Sequence, residues 1–337
     1  MKVLLVGGTG VISSGIVKQL VEDGHDPVVL SRGSRKPSRD GVATLVADKG
    51  DRAAFVKQMQ DQRFDAVIDM ISFNSDDVQT TIEAFEGRAD HIVVCSTIAA
   101  YKRPYASLPV REDAESLWDD PDFGYAYNKA QMEKTAMAAW TERQVPITLI
   151  RPSLTFGVGG ANLGTLRQNY GIVDRIRRGR PLVLFGDACQ GFSFTFVPDL
   201  ARAFVGVLGK SAAFGQAYHA TSEEPTIWKD FYLTFGRLLG KEVELAYIPS
   251  AYLKDAKPEL FAHLNLEKTY DGLFSNDKLR SIIPGFRAQI TLEEGLRDML
   301  TWWEESGATA DPEKDRMEEL LAEHARRLRD DLKKALA

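Results

Sequence analysis

Cysteine and histidine are scarce in this sequence, and neither is arranged as a metal or disulfide site. Cys95 and Cys189 are the two cysteines, and the five histidines are isolated from one another. A zinc site or a disulfide framework needs such residues clustered at short spacing, so no metal is predicted. Cys95 is expected to be a small core residue, and His219, in an apolar run, is expected to be a hydrogen-bonded core histidine.

Long apolar runs and an excess of positive charge are also missing. No segment is long enough to cross a bilayer, and no basic leader is followed by an apolar stretch and a small-residue cleavage site. A cytoplasmic protein with no membrane partner is expected. The 42 Lys and Arg are outnumbered by 48 Asp and Glu, which gives a formal charge of −6. Because nucleic-acid backbones are bound by clustered basic groups, a nucleic acid is not the expected partner.

Short β-branched runs alternate with helical patterns through the first half of the chain. The runs are KVLLV (2–6), PVVL (27–30), ATLV (43–46), DAVIDM (65–70), HIVVCS (91–96) and PITLIR (146–151). The segments between them, such as SSGIVKQLVEDG, repeat apolar residues at helical spacing. This alternation predicts an α/β fold, a Rossmann-type doubly wound parallel sheet covered on both faces, with a smaller C-terminal substrate-binding lobe.

Three regions are predicted along the chain: a dinucleotide-binding domain at 1–155, a substrate-binding lobe at 156–306 that is interleaved with late sheet elements, and a helical tail at 307–337. The stretch LTFGVGGANLG is predicted to be a loop, and 249–272 an irregular segment. The tail opens with Asp before Pro and Glu and repeats apolar residues at helical spacing. It is therefore predicted to be an amphipathic helix that packs on the body or on a partner subunit.

The stretch GGTGVISSGI, residues 7–16, follows the first predicted strand directly. Gly7 and Gly10 permit a tight turn and let backbone N–H groups approach a pyrophosphate at the start of a helix. Ser13 occupies the third glycine position, where close helix packing is needed. Its hydroxyl can bond back to its own helix, so slightly wider packing is expected without loss of binding. A strand before this turn and a helix after it predict dinucleotide binding.

The second strand ends in VVLSRGSRKP, without the acidic residue that binds a ribose 2′-hydroxyl. Ser31 and Arg32, with Arg35 nearby, are donors suited to a 2′-phosphate, so the predicted cofactor is NAD(P) with a preference for NADP. The alternative is a solvated basic loop. Asp48, in VADKGD, either meets the adenine amino group or forms a simple turn.

The helical segment YAYNKA places Tyr125 and Lys129 four residues apart and therefore on one helix face. A tyrosine ordinarily titrates near about pH 10, and a neighbouring ammonium favours its ionised form. Ser96 and Thr97 end the fifth strand, at the edge where open α/β sheets bind ligands. A hydroxyl there could donate to the substrate oxygen that Tyr125 deprotonates. Tyr127 has the wrong spacing to Lys129.

Taken in order, these motifs resemble an extended short-chain dehydrogenase/reductase of the NAD-dependent epimerase/dehydratase family. The resemblance covers nearly all of the chain except about the last 30 residues and is carried by GGTGVIS, VADKGD, VVCSTIAAY, YAYNK, IRPSLTFGVG, PLVLFGDACQGFSFTFVPDLARAF, YHATSEEPTIWKDFYLTFGRLLGK and FSNDKLRSIIPGFRAQITLEEGLRDMLTWW. It implies that Tyr125 is the catalytic acid/base, that Lys129 binds the nicotinamide ribose and lowers the pKa of Tyr125, and that Thr97 orients the substrate oxygen. The complete set of predicted cofactor contacts is Gly7, Thr9, Gly10, Val11, Ile12, Ser31, Arg32, Asp48, Lys49, Met70, Ile71, Ser96, Tyr125, Lys129 and Pro152.

Two departures from the family pattern narrow the predicted chemistry. The family's dehydratases carry an Asp-Glu pair after the threonine, but here Ile98 and Ala99 follow, so dehydration is disfavoured. Epimerisation through a transient ketone and alcohol/ketone oxidoreduction both remain open. Phe192 stands where nucleotide-sugar members place a diphosphate-binding arginine, and a second such arginine is absent before FSNDK. A smaller sugar, sugar acid or sugar derivative is the predicted substrate, unless Lys268 or Arg167 substitutes.

A binding role and a subunit interface are the remaining alternatives. The SRG after the second strand and the segment TIWKDF also resemble the chloroplast stem-loop-binding proteins, which share the fold and bind RNA. The intact Tyr125, Lys129 and Thr97 set and the negative charge favour an enzyme. The helix face in QMEKTAMAAW (131–140) either joins two copies in a homodimer or packs on the core.

Overall fold

The computed structural model describes residues 1–33, 41–159 and 163–337, so the prediction for Arg35 lies outside the described residues. The strands are β1 (Lys2–Val6), β2 (Asp26–Ser31), β3 (Ala43–Val46), β4 (Ala66–Asp69), β5 (Ile92–Cys95), β6 (Ile147–Pro152), β7 (Leu154–Phe156), β8 (Leu182–Phe185), β9 (Phe194–Phe196), β10 (Gln216–Ala220) and β11 (Leu245–Ile248). The α-helices are α1 (Val11–Glu22), α2 (Arg52–Met59), α3 (Ser75–Phe85), α4 (Gly124–Arg143), α5 (Tyr170–Arg177), α6 (Val197–Gly206), α7 (Trp228–Leu239), α8 (Ser250–Ala256), α9 (Pro258–His263), α10 (Asp277–Ile282), α11 (Leu292–Glu305) and α12 (Pro312–Leu336). Within the described ranges, no helix is both long and apolar enough to cross a membrane.

Seven strands form a parallel sheet in the order β10-β6-β5-β4-β1-β2-β3. The strand order reverses next to β1, because β2 and β3 lie on one side of it and β4, β5, β6 and β10 on the other. Such a reversal opens a crevice at the carboxyl ends of the central strands, where ligands bind. The predicted doubly wound α/β class is confirmed.

The core lies on both faces of this sheet because side chains alternate along each strand. Val3 and Leu5 of β1 pack with residues of α1 and α6, whereas Leu4 and Val6 pack with residues of α2, α3 and α4. In α4, the apolar positions of QMEKTAMAAW enter the second of these clusters. The buried ones are Met132, Ala136 and Ala139. That face therefore packs on its own core, and the homodimer stays a prediction.

The chain divides into two compact units. The first contains Met1–Thr155, Thr195–Glu223 and Phe274–Gln289, and the second contains Phe156–Phe194, Glu224–Leu273 and Ile290–Ala337. The first unit holds the seven-stranded sheet, and the second holds the tail helix α12 together with α5 and α7. The domain boundaries predicted from the sequence stay a prediction, since this division does not show which segments fold by themselves.

The second unit corrects one expectation and bears out another. The segment predicted to be irregular, 249–272, is largely helical: it forms α8, α9 and a π-helical turn at Leu264–Lys268. Pro258 lies in the first turn of α9, where proline is favoured. The predicted amphipathic tail helix is present as α12, capped by the Asp311 carboxylate, which accepts hydrogen bonds from the N–H groups of Glu313 and Lys314. The predicted loop LTFGVGGANLG opens with strand β7, and its residues 160–162 are not described.

Within the second unit, buried charged side chains join α12 to α5 and β8. Arg175 of α5, 1 % exposed, donates to Asp315 Oδ1 at 2.7 Å and to Glu319 Oε2 at 2.8 Å. Glu318, which is fully buried, accepts hydrogen bonds from the Val183 N–H at 2.9 Å and from Gln168 Nε2 at 2.8 and 2.9 Å. Burial raises the pKa of Glu318 to about 7, although the Val183 N–H and the Arg175 guanidinium act in the opposite direction.

This raised pKa predicts a pH-dependent stability. A carboxyl group whose pKa is higher in the folded than in the unfolded chain contributes stability in full below the unfolded value of 4.5 and loses it as the pH rises through about 7. Glu318→Gln mimics the protonated form, so we expect its melting temperature relative to wild type to be higher at about pH 8 than at about pH 5. Calorimetry of both proteins at the two pH values measures this.

Glu319→Gln is the matched control for this measurement, because Glu319 also pairs with Arg175 but its side chain is 41 % exposed. Its difference from wild type should change much less with pH. A Glu318→Gln difference that stays constant between the two pH values would contradict the prediction.

Candidate active site

The glycine turn has the geometry that the sequence predicted. Gly7 has a φ of +81°, and a Cβ atom placed on it would lie 2.5 Å from Ile71 Cγ2. The N–H groups of Gly7 and Gly8 both donate to the Leu30 carbonyl, at 3.0 and 3.3 Å, which folds the turn back on β2. A side chain is excluded there by both backbone strain and lack of space.

Ser13 supports this turn in a way that the sequence did not reveal. Its Oγ donates to the Gly7 carbonyl at 2.8 Å, and the residue is 2 % exposed. The expectation that this hydroxyl would bond back to its own helix is wrong, because its nearest acceptor is the turn carbonyl. The missing third glycine is thus replaced by a hydrogen bond that holds the first glycine in place.

The start of α1 faces the same turn. The first turn of an α-helix leaves N–H groups without intrahelical partners, and the N-cap residue Gly10 has no side chain with which to cover them. Thr9, Val11 and Ile12 flank this position and are all partly exposed. The arrangement suits an anion such as a pyrophosphate.

At the end of β2 and β3, the predicted adenosine contacts lie on the surface. Arg32 is exposed and Ser31 is half-buried, with its Oγ accepting a hydrogen bond from the Gly33 N–H at 3.3 Å. Asp48 is exposed, and its Oδ1 accepts from the Gly50 N–H at 2.9 Å. Asp48 therefore takes part in a turn, and its predicted contact with the adenine amino group stays a prediction.

A buried ion pair lies beneath the loop that follows β4. Lys49 Nζ donates to Asp69 Oδ2 at 2.6 Å and to Ser72 Oγ at 2.7 Å. Asp69 also accepts from Ser72 Oγ at 2.6 Å, from Thr81 Oγ1 at 2.5 Å and from the Ile71 N–H at 2.9 Å. Burial alone would raise the pKa of Asp69, but the Lys49 ammonium and the hydroxyl donors hold it below its usual range. The predicted cofactor contact Lys49 therefore braces the loop that carries the predicted contacts Met70 and Ile71.

Lys129 is the most firmly placed of the predicted catalytic residues. It is 2 % exposed, and its Nζ donates to the carbonyls of Ser72 at 2.7 Å and Cys95 at 2.8 Å. The Phe73 ring lies with its centroid 4.9 Å from the same ammonium. Burial lowers the pKa of Lys129. The loop after β4 and the end of β5 thus hold the ammonium from two sides.

Tyr125 and Thr97 lie at the surface of the same unit. Tyr125, in the first turn of α4, is 48 % exposed. Thr97 is half-buried, and its Oγ1 accepts a hydrogen bond from the Ala99 N–H at 3.1 Å. Because this bond uses only a lone pair, the hydroxyl hydrogen of Thr97 can still be donated to another oxygen. Ile98 and Ala99, in a 3₁₀ turn, are buried and carry no polar side chain.

Ser96 belongs to a buried polar network that the sequence analysis missed. Its Oγ donates to Glu133 Oε1 at 2.5 Å, and Glu133 forms a two-pronged ion pair with Arg151, at 2.8 Å from Nε and 2.5 Å from Nη2. Arg151 Nη1 also donates to the Tyr101 hydroxyl at 2.6 Å. Glu133 was detectable in principle, because it lies four residues after Lys129 on the same helix face. Its partners Ser96 and Arg151 lie in other parts of the chain, so no short sequence pattern links them to Glu133.

The predicted residues share one edge of the sheet. They follow β1, β2, β3, β4 and β5 or, like the buried Pro152, end β6. In a parallel sheet the carboxyl ends of all strands lie at the same edge. In the part of the chain that is described, no group of three or more His, Cys, Asp or Glu residues is arranged to hold a metal ion.

In the second unit, Phe192 is surrounded by aromatic rings. It is 1 % exposed, and its ring centroid lies 4.8 Å from that of Trp228. Lys268 Nζ lies 4.5 Å from the Phe192 ring centroid and donates to Glu267 Oε1 at 2.8 Å. The Lys268 charge is therefore already paired with a carboxylate.

Comparisons with known proteins show the family and the fold of the chain. Residues 3–220 match the model of the NAD dependent epimerase/dehydratase family. The 2′-dehydrokanamycin reductase of Streptomyces kanamyceticus is 27 % identical over 76 % of this chain and 73 % of its own length. The chloroplast stem-loop binding protein of 41 kDa b of Arabidopsis thaliana is 24 % identical over 88 % of this chain and 78 % of its own. The UDP-glucuronic acid 4-epimerase of Bacillus cereus, solved with UDP-glucuronic acid and NAD, has a TM-score of 0.72 at 18 % identity and covers 91 % of this chain and 100 % of its own.

Proposed function

The chain belongs to the NAD dependent epimerase/dehydratase family, and from this premise we propose that it transfers a hydride at a secondary alcohol or ketone, as a reductase or an epimerase. The observation that carries the proposal is the ammonium of Lys129, buried and held by two carbonyl oxygens one helical turn from the exposed phenol of Tyr125. A lysine is costly to bury, so a firmly anchored one beside a surface phenol favours a catalytic role.

In this proposal Tyr125 moves the proton. It takes the hydroxyl proton of the substrate during oxidation and returns a proton to the carbonyl oxygen during reduction. The positive charge of Lys129 favours the phenolate form of Tyr125. Thr97 donates its hydroxyl hydrogen to the same substrate oxygen. The bound nicotinamide cofactor supplies or accepts the hydride.

The residues at the sheet edge fit such a cofactor. The glycine turn excludes a side chain at Gly7, and α1 begins with N–H groups that Gly10 cannot cap. Lys129 uses two of its three N–H groups on carbonyls, and its other contacts within the described residues are weak ones, the Met132 sulfur at 4.0 Å and the Phe73 ring, which leaves a third N–H for a stronger acceptor. That third N–H is suited to a ribose hydroxyl.

A preference for NADP is part of the proposal, and Arg32 tests it. Arg32→Ala should raise the dissociation constant of NADPH about 10-fold, because a charge-assisted bond to the 2′-phosphate is lost. The dissociation constant of NADH, which has no 2′-phosphate, should stay within about twofold of wild type. Titration of nicotinamide fluorescence measures both values. Equal losses for the two cofactors would show that Arg32 does not read the 2′-phosphate.

Dehydration is disfavoured in this proposal. Elimination of water needs a further acid and base beside the substrate. The residues after Thr97 are Ile98 and Ala99, which are buried and have no group that can carry a proton. Hydride transfer with a single proton relay therefore remains.

The proposed substrate is a small sugar, a sugar acid or a sugar derivative without a nucleoside diphosphate. The buried ring of Phe192 cannot bind a diphosphate, and Lys268 is already paired with Glu267, so the exposed Arg167 is the substitute that stays open. The relative from Streptomyces kanamyceticus is a 2′-dehydrokanamycin reductase, whose named substrate is not a nucleotide sugar. This supports a substrate outside the nucleotide sugars.

The experiment that tests the proposal has two parts. Mass spectrometry of nucleotide that co-purifies with the protein identifies the cofactor, and a panel of sugars, sugar acids and polyols with NADP⁺ or NAD⁺ reports hydride transfer by absorbance. Failure to bind either nicotinamide nucleotide at saturating concentration would overturn the proposal. A salt-sensitive shift of RNA on a gel by the same preparation would instead favour an RNA-binding role. The net charge of −6 and the presence of Tyr125, Lys129 and Thr97 favour the enzyme over that role.

A further inference from the structure

The turn that carries Thr97 is held at both ends by one buried ion pair. Ser96, directly before Thr97, donates to Glu133 at 2.5 Å. Tyr101, four residues after Thr97, accepts a hydrogen bond from Arg151 at 2.6 Å. Glu133 and Arg151 are bonded to each other through both carboxylate oxygens. The two ends of the turn therefore cannot shift independently.

The chemistry of the groups fixes which atom is the donor in each hydrogen bond from Arg151 through Tyr101 to His219. A guanidinium can only donate, so the Tyr101 oxygen accepts from Arg151 and its hydrogen is left to donate to His219 Nε2 at 2.7 Å. His219 then carries its proton on Nδ1, which donates to the Ser275 carbonyl at 3.1 Å. Burial lowers the pKa of His219 to about 3, so the ring stays neutral and the pattern persists at neutral pH.

The same ion pair also contacts the helix that carries the proposed acid/base. Glu133 lies four residues after Lys129 and eight after Tyr125 on α4, and this spacing puts the three on one face. Arg151 lies in β6, next to Pro152. One buried pair thus joins the helix of Tyr125 and Lys129 to the turn of Thr97.

We propose that Tyr101 and His219 are positioning residues, whose hydrogen bonds, through Arg151, hold Thr97 in register with Tyr125. This inference rests on the proposed function, in which both hydroxyls must reach one substrate oxygen. Convergence of two donors on one atom tolerates little displacement, and an error of about 1 Å can cost up to about 100-fold in rate. Tyr101 and His219 are both fully buried, so in this inference they act through Arg151 and the turn.

Tyr101→Phe tests the inference because it removes one hydroxyl and leaves the ring. With methyl-labelled threonine in the full-length protein, the Thr97 methyl signal, assigned with Thr97→Ser, should broaden or split in Tyr101→Phe because the turn loses its hydrogen bond to the ion pair at one end, while the Arg103 bonds to the turn carbonyls remain. With the substrate that the panel identifies, kcat should fall about 10-fold while the dissociation constant of NADPH stays within about twofold.

Tyr218→Phe is the matched control. Tyr218 is equally buried, at 1 % exposure, and its hydroxyl donates to the Ala212 carbonyl at 3.3 Å without contact to the ion pair. It should leave the Thr97 signal and kcat unchanged. His219→Gln keeps an acceptor near the Nε2 position and should behave more like wild type than His219→Leu, which removes it.

The outcomes separate this inference from the proposed function. If the Thr97 signal of Tyr101→Phe matches that of Tyr218→Phe, or if His219→Leu and His219→Gln do not differ, the positioning role is wrong. If Tyr125→Phe keeps its turnover, the proposed function fails whatever the Thr97 signal shows.

Discussion

Tyr125→Phe is expected to lower kcat by about 1,000-fold while the dissociation constant of NADPH stays within about twofold of wild type. The substitution removes only the phenolic oxygen, which the proposal makes the proton acceptor and donor. Because Tyr125 is 48 % exposed, the change costs little packing, and the fold should be unaffected. Steady-state kinetics and fluorescence titration separate the two effects, since the loss belongs to the chemical step and not to cofactor binding.

Tyr127→Phe is the control for this prediction. Tyr127 lies on the same helix two residues later, partly buried, but not at helical spacing from Lys129. It should retain nearly full turnover. If Tyr125→Phe remained active, or if both variants lost activity equally, another group would carry the proton and the proposed mechanism would be wrong.

Lys49→Met is expected to produce the largest loss of stability, about 3–5 kcal/mol in the free energy of unfolding. The substitution leaves the Asp69 carboxylate fully buried without the ammonium that lies 2.6 Å from it. The hydroxyls of Ser72 and Thr81 still donate to it, but they carry no compensating charge. Urea unfolding followed by circular dichroism measures the loss.

A double variant shows whether the uncompensated charge is the cause. In Lys49→Met with Asp69→Asn, the amide oxygen still accepts from Ser72 and Thr81, and the unpaired buried carboxylate is gone. This protein should be more stable than Lys49→Met alone. If the two losses simply added, the side chains would not be coupled and the ion pair would not be the reason for the instability.

The sheet was accessible from the sequence because its strands are short, nearly uninterrupted apolar runs. The predicted runs at 2–6 and 43–46 coincide with β1 and β3, the run at 27–30 falls within β2, and the others differ from their strands by one residue at each end. A strand buried on both faces leaves such a run in any parallel sheet. The edge strand β10 was not among the predicted runs, and the strand order and the registers, such as Leu5 opposite both Val29 and Ile68, came from the structure.

The expectations that failed share a physical cause. The hydroxyl of Ser13 was assigned to its own helix, yet it bonds to Gly7, since the fold of the turn brings that carbonyl closer. The segment 249–272 was assigned no helix, yet α8 and α9 form there. In both cases the folded chain, and not a pattern within one short segment, decided the outcome.

By itself the sequence determined the fold class, the glycine turn and the helical pairing of Tyr125 with Lys129, because each depends on spacing within a single element. Only the tertiary structure decided which buried polar side chains bond to one another. Glu133 and Arg151 are 18 residues apart and Tyr101 and His219 are 118 apart, yet both pairs are in direct contact. A hydrogen bond depends on distance in space, and folding brings remote segments together without leaving a local pattern in the chain.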